Sequence, residues 1–377
     1  MKTFAYLGTS REGGTYRVFE TLRDGLAERG WTGEFVSESS LPPAALNGSE
    51  RDILEALRDH LGRYDVVIGN VFINVRLMNV LRFLPATTAR IMVVHNITRA
   101  TYLAACALRD HVQHTVAVSP RIREDLLQRG FDPDKTTTIF NAVPDSLFQP
   151  PQPAAPDGVV RVLSLGRIED QSKRVFLLPE ILRGLDPARY RLTVAGDGPD
   201  RDELLSRLTA AAIPFDAPGR IAREDLAQVY RAHDVFLFPS RFEGQGISAA
   251  EAMASGVAPI AASIAGVTTA FIQDGRSGLL FDQGDTRAAA AHLQALMADT
   301  ARLQAMRDAA HARAQEIFSV DQMLNAYESA MAQAALAAPI PPRNLARWHP
   351  PAAMGPGLRG LIPAGLRQRL AGWLFYR

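Results

Sequence analysis

The sequence has little cysteine, little net charge and no long hydrophobic run. Its single cysteine, Cys106, excludes an intramolecular disulfide and a four-cysteine zinc site, and it suits a reducing compartment. Lys and Arg number 41 against 40 Asp and Glu, a formal net charge of +1, so there is no global electrostatic case for a nucleic-acid partner. No uninterrupted apolar stretch reaches the roughly 18 residues that a membrane-spanning helix needs. The opening apolar run, Phe4 to Gly8, turns polar at Thr9, Ser10 and Arg11, too soon for a signal-peptide core. A cytoplasmic chain is therefore expected.

What the sequence does have is an alternating pattern. With 377 residues, 47% of them hydrophobic, the chain is long enough for two domains at roughly 100–200 residues each. Short apolar runs at 4–8, 65–69, 90–95 and 115–118 read as buried strands, and segments 15–30, 50–62 and 119–130 between them have helical spacing. That rhythm predicts a parallel sheet covered on both faces. It stops after Phe140, where residues 144–157 carry five prolines, a semi-rigid linker composition. It then restarts, with strands at 160–165, 192–195, 235–238, 257–261 and 278–281 and helices at 173–184, 200–211, 223–232 and 248–255. From 286 to about 337 the chain reads as helical and alanine-rich. The expected fold is α/β, with two doubly wound, Rossmann-like halves. The expected limits are 1–145, a linker at 146–158, 159–337, and a tail at 338–377 that crosses back towards the first half.

In open parallel sheets, ligands bind beyond the carboxyl ends of the strands, so chemistry is sought in the loops there. Gly13-Gly14-Thr15 follows the first strand and opens a helix. It suits close approach of an anion to backbone N–H groups, or it is a plain turn. Gly166-Arg167 and Lys173-Arg174 follow strand 160–165. Lys173 is expected in the first turn of the next helix, where the dipole disfavours a cation unless an anion balances it. Two fixed cations suit a diphosphate leaving group; a solvated charge run with Glu169 and Asp170 is the alternative. Ala195-Gly196-Asp197-Gly198-Pro199 reads as turn chemistry. The richest loop is Pro239 to Ser248, with Glu243 in the loop, Ser248 as a candidate helix cap and Glu251 in the helix beyond. Each carboxylate can accept a pair of hydroxyl hydrogen bonds, as a sugar or a ribose requires.

The run Phe242-Glu243-Gly244-Gln245-Gly246-Ile247-Ser248-Ala249-Ala250-Glu251-Ala252-Met253-Ala254-Ser255-Gly256-Val257-Ala258-Pro259-Ile260 resembles the hallmark of glycosyltransferase family 4, the retaining GT-B enzymes also called glycosyl transferases group 1. Gly166-Arg167, Lys173, Val194 to Pro199, Ala265-Gly266-Val267 and Asp274 to Phe281 are similar to the family as well. The match is close over 160–285 and looser in the first half, where Gly13-Gly14, Val118-Ser119 and Ile139 to Val143 resemble family elements. The resemblance implies a GT-B architecture, with the two halves facing across a cleft. It implies a retaining hexosyl transfer from a nucleotide diphosphate sugar, with Arg167 and Lys173 holding the diphosphate in place of a metal ion. Glu251 would bind the ribose. Glu243 and backbone N–H groups from Gly244 through Gln245 and Gly246 to Ile247 would meet the transferred sugar. His95, at the end of strand 90–94, stands where the family often has a histidine beside that sugar, and Gly13-Gly14 would approach the donor. No metal, cofactor or dedicated protein base is expected.

Three departures from the family pattern stand out. Asn141-Ala142-Val143-Pro144 replaces N-G-V-D, Lys173-Arg174 replaces Lys-Gly, and Gln245 stands where an aromatic or small residue is usual, beside the donor sugar. The end of the chain is basic, with no acidic residue after Glu328. Leu366, Leu370, Trp373 and Leu374 would form one stripe of a helix there. Such an end packs on the first half or lies at the inner face of an anionic membrane, which would suit a lipid-linked acceptor; a polysaccharide glycan is the other acceptor expected. The competing readings are a GT-B epimerase or phosphorylase and a non-catalytic sugar-nucleotide-binding protein.

Overall fold

The computed structural model describes residues 2–9, 11, 14–47, 49–71, 75–153 and 158–348. The chain divides into two compact units. One is Met1–Ile139 together with the chain from Met323 onward, and the other is Phe140–Gln322.

The first unit holds six strands: β1 (Lys2–Leu7), β2 (Trp31–Val36), β3 (Val66–Asn70), β4 (Ala89–Val94), β5 (His114–Ala117) and β6 (Thr136–Thr138). They form one sheet in the order β2-β1-β3-β4-β5-β6, with every pairing parallel. The second unit repeats the plan with β7 (Val160–Leu165), β8 (Tyr190–Ala195), β9 (Phe215–Gly219), β10 (Val235–Phe238), β11 (Ala258–Ala262) and β12 (Leu279–Phe281). Its order is β12-β11-β10-β7-β8-β9, again parallel throughout.

The central strands are apolar on both faces because helices cover both. All residues of β4, β10 and β11 are buried, as a doubly covered parallel sheet requires. In each sheet the strand order reverses once, between β1 and β3 and between β7 and β10. Neighbouring loops diverge at such a point and leave a crevice at the carboxyl ends. The loops that carry Arg167 and Lys173, after β7, and Glu243, after β10, therefore flank the switch point of the second sheet.

The chain returns to the first unit earlier than the sequence pattern placed it. The return begins at Met323 and not at 338, because the last long helix, Val320–Leu336, already packs there. Leu324 fills the space beside Gly25, and Glu328 meets Arg29 and the Trp31 indole, each at 3.3 Å. Beyond it, the Arg343 N–H donates to Arg82 O (2.8 Å) and Trp348 packs edge-on against Phe83. The basic stripe expected from Leu366 to Leu374 lies outside the described residues. No described helix is long and apolar enough to cross a membrane.

Candidate active site

Two loops at the end of the second sheet run together backbone to backbone. The Gly166 N–H donates to Ala195 O (3.0 Å), and the Ile168 N–H donates to Asp197 O (2.9 Å). A Cβ on Gly196 would collide with Gly166 O, and one on Gly198 with Ile168 O. The Gly-Asp-Gly turn is thus a packing requirement, as its composition suggests. Asp200, just beyond it, accepts the Asp170 N–H at 2.6 Å and anchors the helical turn Asp170–Lys173.

That turn corrects the expected position of Lys173. Lys173 ends a one-turn helix and does not begin the next one, Leu177–Leu182. Asp170 makes the difference: its backbone O accepts the Arg174 N–H (3.0 Å) and its carboxylate accepts the Phe176 N–H (2.9 Å), which closes the chain on itself. Arg174 is forced into the left-handed region at φ 51°, ψ 40°. A cation at a helix C-terminus is stabilised by the dipole, so the dipole argument for an anion at Lys173 falls.

What remains is a direct contact. Lys173 Nζ donates to Glu243 Oε1 at 2.6 Å, with side-chain exposures of 27% and 10%. The backbone sets this pair up: Ser172 O accepts the N–H groups of Arg241 (2.8 Å) and Phe242 (3.2 Å), which draws the Glu243 loop onto the Lys173 turn. Arg167 stays 65% exposed, with only a loose approach to Glu169 at 3.8 Å. A cavity beside the pair is lined by Gly166, Arg167, Lys173, Phe238, Ser240 and Ser248. Cations and hydroxyls dominate its polar wall.

Helix Ile247–Ala254 opens at this cavity. Its N-cap is Gly246, at φ 85° and ψ 49°, with no side-chain cap. Ser248 is therefore the second helical residue and not the cap, and its place is in the cavity wall. A residue with a side chain at 246 would be strained by the left-handed backbone. The first N–H groups of this helix are the ones that helix geometry leaves without an intrahelical acceptor. Glu251, only 6% exposed, accepts a hydrogen bond from the fully buried Tyr230 hydroxyl at 2.9 Å. Tyr230 escaped the sequence reading because it sits on the apolar face of a short helix like any core residue.

The Gln245 amide is paired with Asn141. Its Oε1 accepts from the Asn141 N–H (2.8 Å) and Asn141 Nδ2 (2.9 Å), while its Nε2 donates to Asn141 O (2.9 Å). Both residues are buried. The amide is thus engaged in clamping the loop to the start of the second unit, and one departure from the family pattern, Gln245, is the partner of an asparagine that the pattern keeps.

In the first unit, His95 follows β4 and its Nε2 lies 2.6 Å from Asn70 Oδ1. Asn70 Nδ2 donates to Leu7 O (2.6 Å), which fixes Oδ1 as the acceptor, and Oδ1 also accepts from the Tyr6 hydroxyl (3.1 Å). His95 therefore carries its hydrogen on Nε2 and presents Nδ1 as an acceptor. Burial pushes its pKa down to about 4, so the ring is neutral near pH 7. Asn70 and Tyr6 had no sequence signal beyond lying in strands. Gly14 begins helix Gly14–Ala27 with open space at its Cα; Gly13 lies outside the described residues. Among the described residues, no group of three His, Cys, Asp or Glu side chains could hold a metal ion.

Comparison with known proteins fits this geometry. The family model for glycosyl transferases group 1 matches residues 160–299. The sulfoquinovosyl transferase SQD2 of Arabidopsis thaliana is 29% identical over 197 residues, covering 49% of this chain and 38% of that protein. A D-inositol 3-phosphate glycosyltransferase of Stackebrandtia nassauensis is 34% identical over 229 residues, covering 54% and 51%. The chain thus spans about half, or less, of the length of these relatives. Among solved structures, Anabaena Alr3699/HepE in complex with UDP and glucose superposes with a TM-score of 0.70 at 17% identity, covering 88% of this chain and 100% of that one. Sucrose-phosphate synthase from Thermosynechococcus elongatus does so at 0.72 and 19%, with the same coverage. Residues 160–299 are thus similar to the glycosyl transferases group 1, and the two six-stranded parallel sheets give the chain the GT-B fold of these solved structures.

Proposed function

We propose that the chain is a retaining glycosyltransferase of family 4 that moves a hexose from a nucleoside diphosphate sugar to an acceptor hydroxyl, with a lipid-linked or polysaccharide glycan as acceptor. The observation that carries this reading is the Lys173–Glu243 pair beside the Arg167-lined cavity at the switch point of the second sheet. Support comes from relatives whose names are those of sugar transferases and from a solved neighbour in complex with UDP and glucose.

In this reading Arg167 and Lys173 take up the negative charge that grows on the diphosphate as the bond to the sugar breaks. They do so without a metal ion. Glu243 holds Lys173 in place at 2.6 Å and turns its other oxygen to the sugar hydroxyls. Tyr230 orients Glu251 for the two ribose hydroxyls. The N–H groups at the start of helix Ile247–Ala254 face the anionic part of the donor. His95 Nδ1 accepts a hydrogen bond from a sugar hydroxyl. The acceptor oxygen attacks the anomeric carbon on the face that the diphosphate leaves. Its proton passes to the departing phosphate oxygen, so no side chain has to act as base. His95, with a pKa of about 4, would be a poor one.

The test is a thermal-shift panel of UDP-, GDP- and ADP-sugars followed by turnover assays. A donor present at 100 times its Kd should stabilise the chain by about 2.7 kcal/mol. Glu243→Ala and Glu251→Ala chains that remain folded should lose donor turnover. Unchanged turnover in both removes the site assignment, and binding without any transfer or hydrolysis would favour a non-catalytic sugar-nucleotide-binding protein.

A further inference from the structure

The amino ends of β4 and β5, opposite the end where His95 lies, hold a cationic cluster that has no function in the transfer reaction. Arg90, second residue of β4, is fully buried. Its Nη2 donates to the carbonyls of Leu84 (2.5 Å), Pro85 (3.2 Å) and Ile340 (3.0 Å). Its Nε and Nη1 are buried with no partner, and so are Arg82 Nε, Thr88 Oγ1 and His111 Nδ1. Five of the eight orphaned buried side-chain polar atoms among the described residues thus belong to four neighbouring side chains. The returning segment adds Arg343, whose N–H donates to Arg82 O.

No carboxylate lies within ion-pair distance of Arg82, Arg90 or Arg343 among the described residues. Asp110, beside His111 in the chain, is 76% exposed and paired with Arg109 at 3.1 Å. The chain offers none after Glu328. Burial pushes Arg90 down to about 10. Burial first, and then the charges of Arg82, Arg343 and Arg90, hold His111 at about 4. A buried cation without a counter-charge and a buried donor without an acceptor each destabilise a fold. Concentrating both in one place is unfavourable unless something supplies the acceptors.

We infer that the cluster of Arg82, Thr88, Arg90 and His111 is a binding site for one small inorganic oxyanion of the phosphate or sulfate class. Such an ion is compact and rich in acceptors. It takes hydrogen bonds from the guanidinium, hydroxyl and imidazole groups that lack partners, and it neutralises the arginines from the sheet and from the returning segment. Bound there, the ion ties Ile340 and Arg343 to the first sheet.

The experiment uses the full chain with Arg167→Ala and Lys173→Ala, so that the cations of the nucleotide site cannot report phosphate. Inorganic phosphate is titrated against chloride at constant ionic strength, with the melting temperature and equilibrium dialysis of labelled phosphate as readouts. One phosphate per chain and a rise of several degrees are expected, and both should disappear when Thr88→Val and His111→Phe are added. The absence of phosphate binding in the Arg167→Ala, Lys173→Ala chain overturns the inference, as does binding that survives Thr88→Val with His111→Phe. If the latter variant does not fold, the dialysis stoichiometry of the parent decides: one overturns nothing and supports the site, zero overturns it.

Discussion

Lys173 Nζ and Glu243 Oε1 are 2.6 Å apart, although 70 residues separate them in the chain. The two loops meet because β7 and β10 are neighbours at the point where the strand order reverses. The contact makes the two side chains one unit, with Glu243 neutralising Lys173. Each of Lys173→Ala and Glu243→Ala should lower turnover by about 100- to 1000-fold, the usual effect of removing one preorganised electrostatic group. The double variant should lose far less than the product of the two, because the residues act together. Additive losses in steady-state assays would mean that the pair is incidental.

The clamp between Gln245 and Asn141 should matter for stability and not for sugar choice. Gln245→Ala leaves the Asn141 N–H and Nδ2 buried without acceptors, which costs about 1–3 kcal/mol. Thermal melting should record the loss while the preference among donor sugars stays the same. A changed preference at unchanged melting temperature would put Gln245 beside the sugar after all.

Arg174 occupies a left-handed backbone position at φ 51° that the family pattern fills with glycine. Arg174→Gly should stabilise the chain by about 1 kcal/mol, since a side chain there strains the backbone by about 1–2 kcal/mol. Its ion pair with Asp170, at 3.4 Å and partly exposed, returns little of that. Melting curves that fall instead would show the Asp170 contact to be the stronger effect.

His95 gives a pH signature. Its folded pKa is about 4, against about 6.5 for an unfolded imidazole. A depressed histidine pKa means that the unfolded chain binds the proton more readily. The stability it contributes is therefore complete above about pH 6.5 and declines as pH falls towards 4. Nitrogen-15 NMR should show the hydrogen on Nε2 and no titration of this ring between pH 6 and 8. Asn70→Asp places a carboxylate against Nε2 and should raise the pKa; an unmoved pKa would mean that Asn70 does not control the ring.

The two arginine and lysine groups are proposed to do a metal ion's work. Turnover should then persist after exhaustive treatment with a chelator, and loss that divalent ions restore would contradict it.

The sequence exposed the buried parts of the fold and missed its margins. β10 and β11 are apolar on both faces and were legible as unbroken runs, as was β4 beyond Arg90. β2, β6 and β9 were not, and all three are edge strands. β6 is three threonines, β9 contains Pro218, and β2 carries Gly33 packed on the Phe4 ring. An edge strand has one neighbour and is less covered, so it can lack the apolar signature, as these three do; β12, an edge strand too, keeps it in Leu279, Leu280 and Phe281. The candidate site shows the same division. Motif spacing pointed to Glu243, Glu251, Arg167 and Lys173, but the turn that puts Lys173 at a helix end depends on Asp170 bonding six residues ahead. Tyr230, Asn70 and the Gln245–Asn141 clamp depend on tertiary neighbours, which no local pattern encodes.

The central claim is that Arg167, Lys173 and Glu251 bind a nucleoside diphosphate. Calorimetric titration of the diphosphate from the best donor in the panel tests it most directly. The account predicts a Kd at least 100-fold weaker for Arg167→Ala with Lys173→Ala, and about 10-fold weaker or more for Glu251→Ala, in chains that keep their fold, since a factor of ten corresponds to about 1.4 kcal/mol, the size of one charge-assisted hydrogen bond. Equal affinity in the wild-type chain and in all of these variants would contradict it.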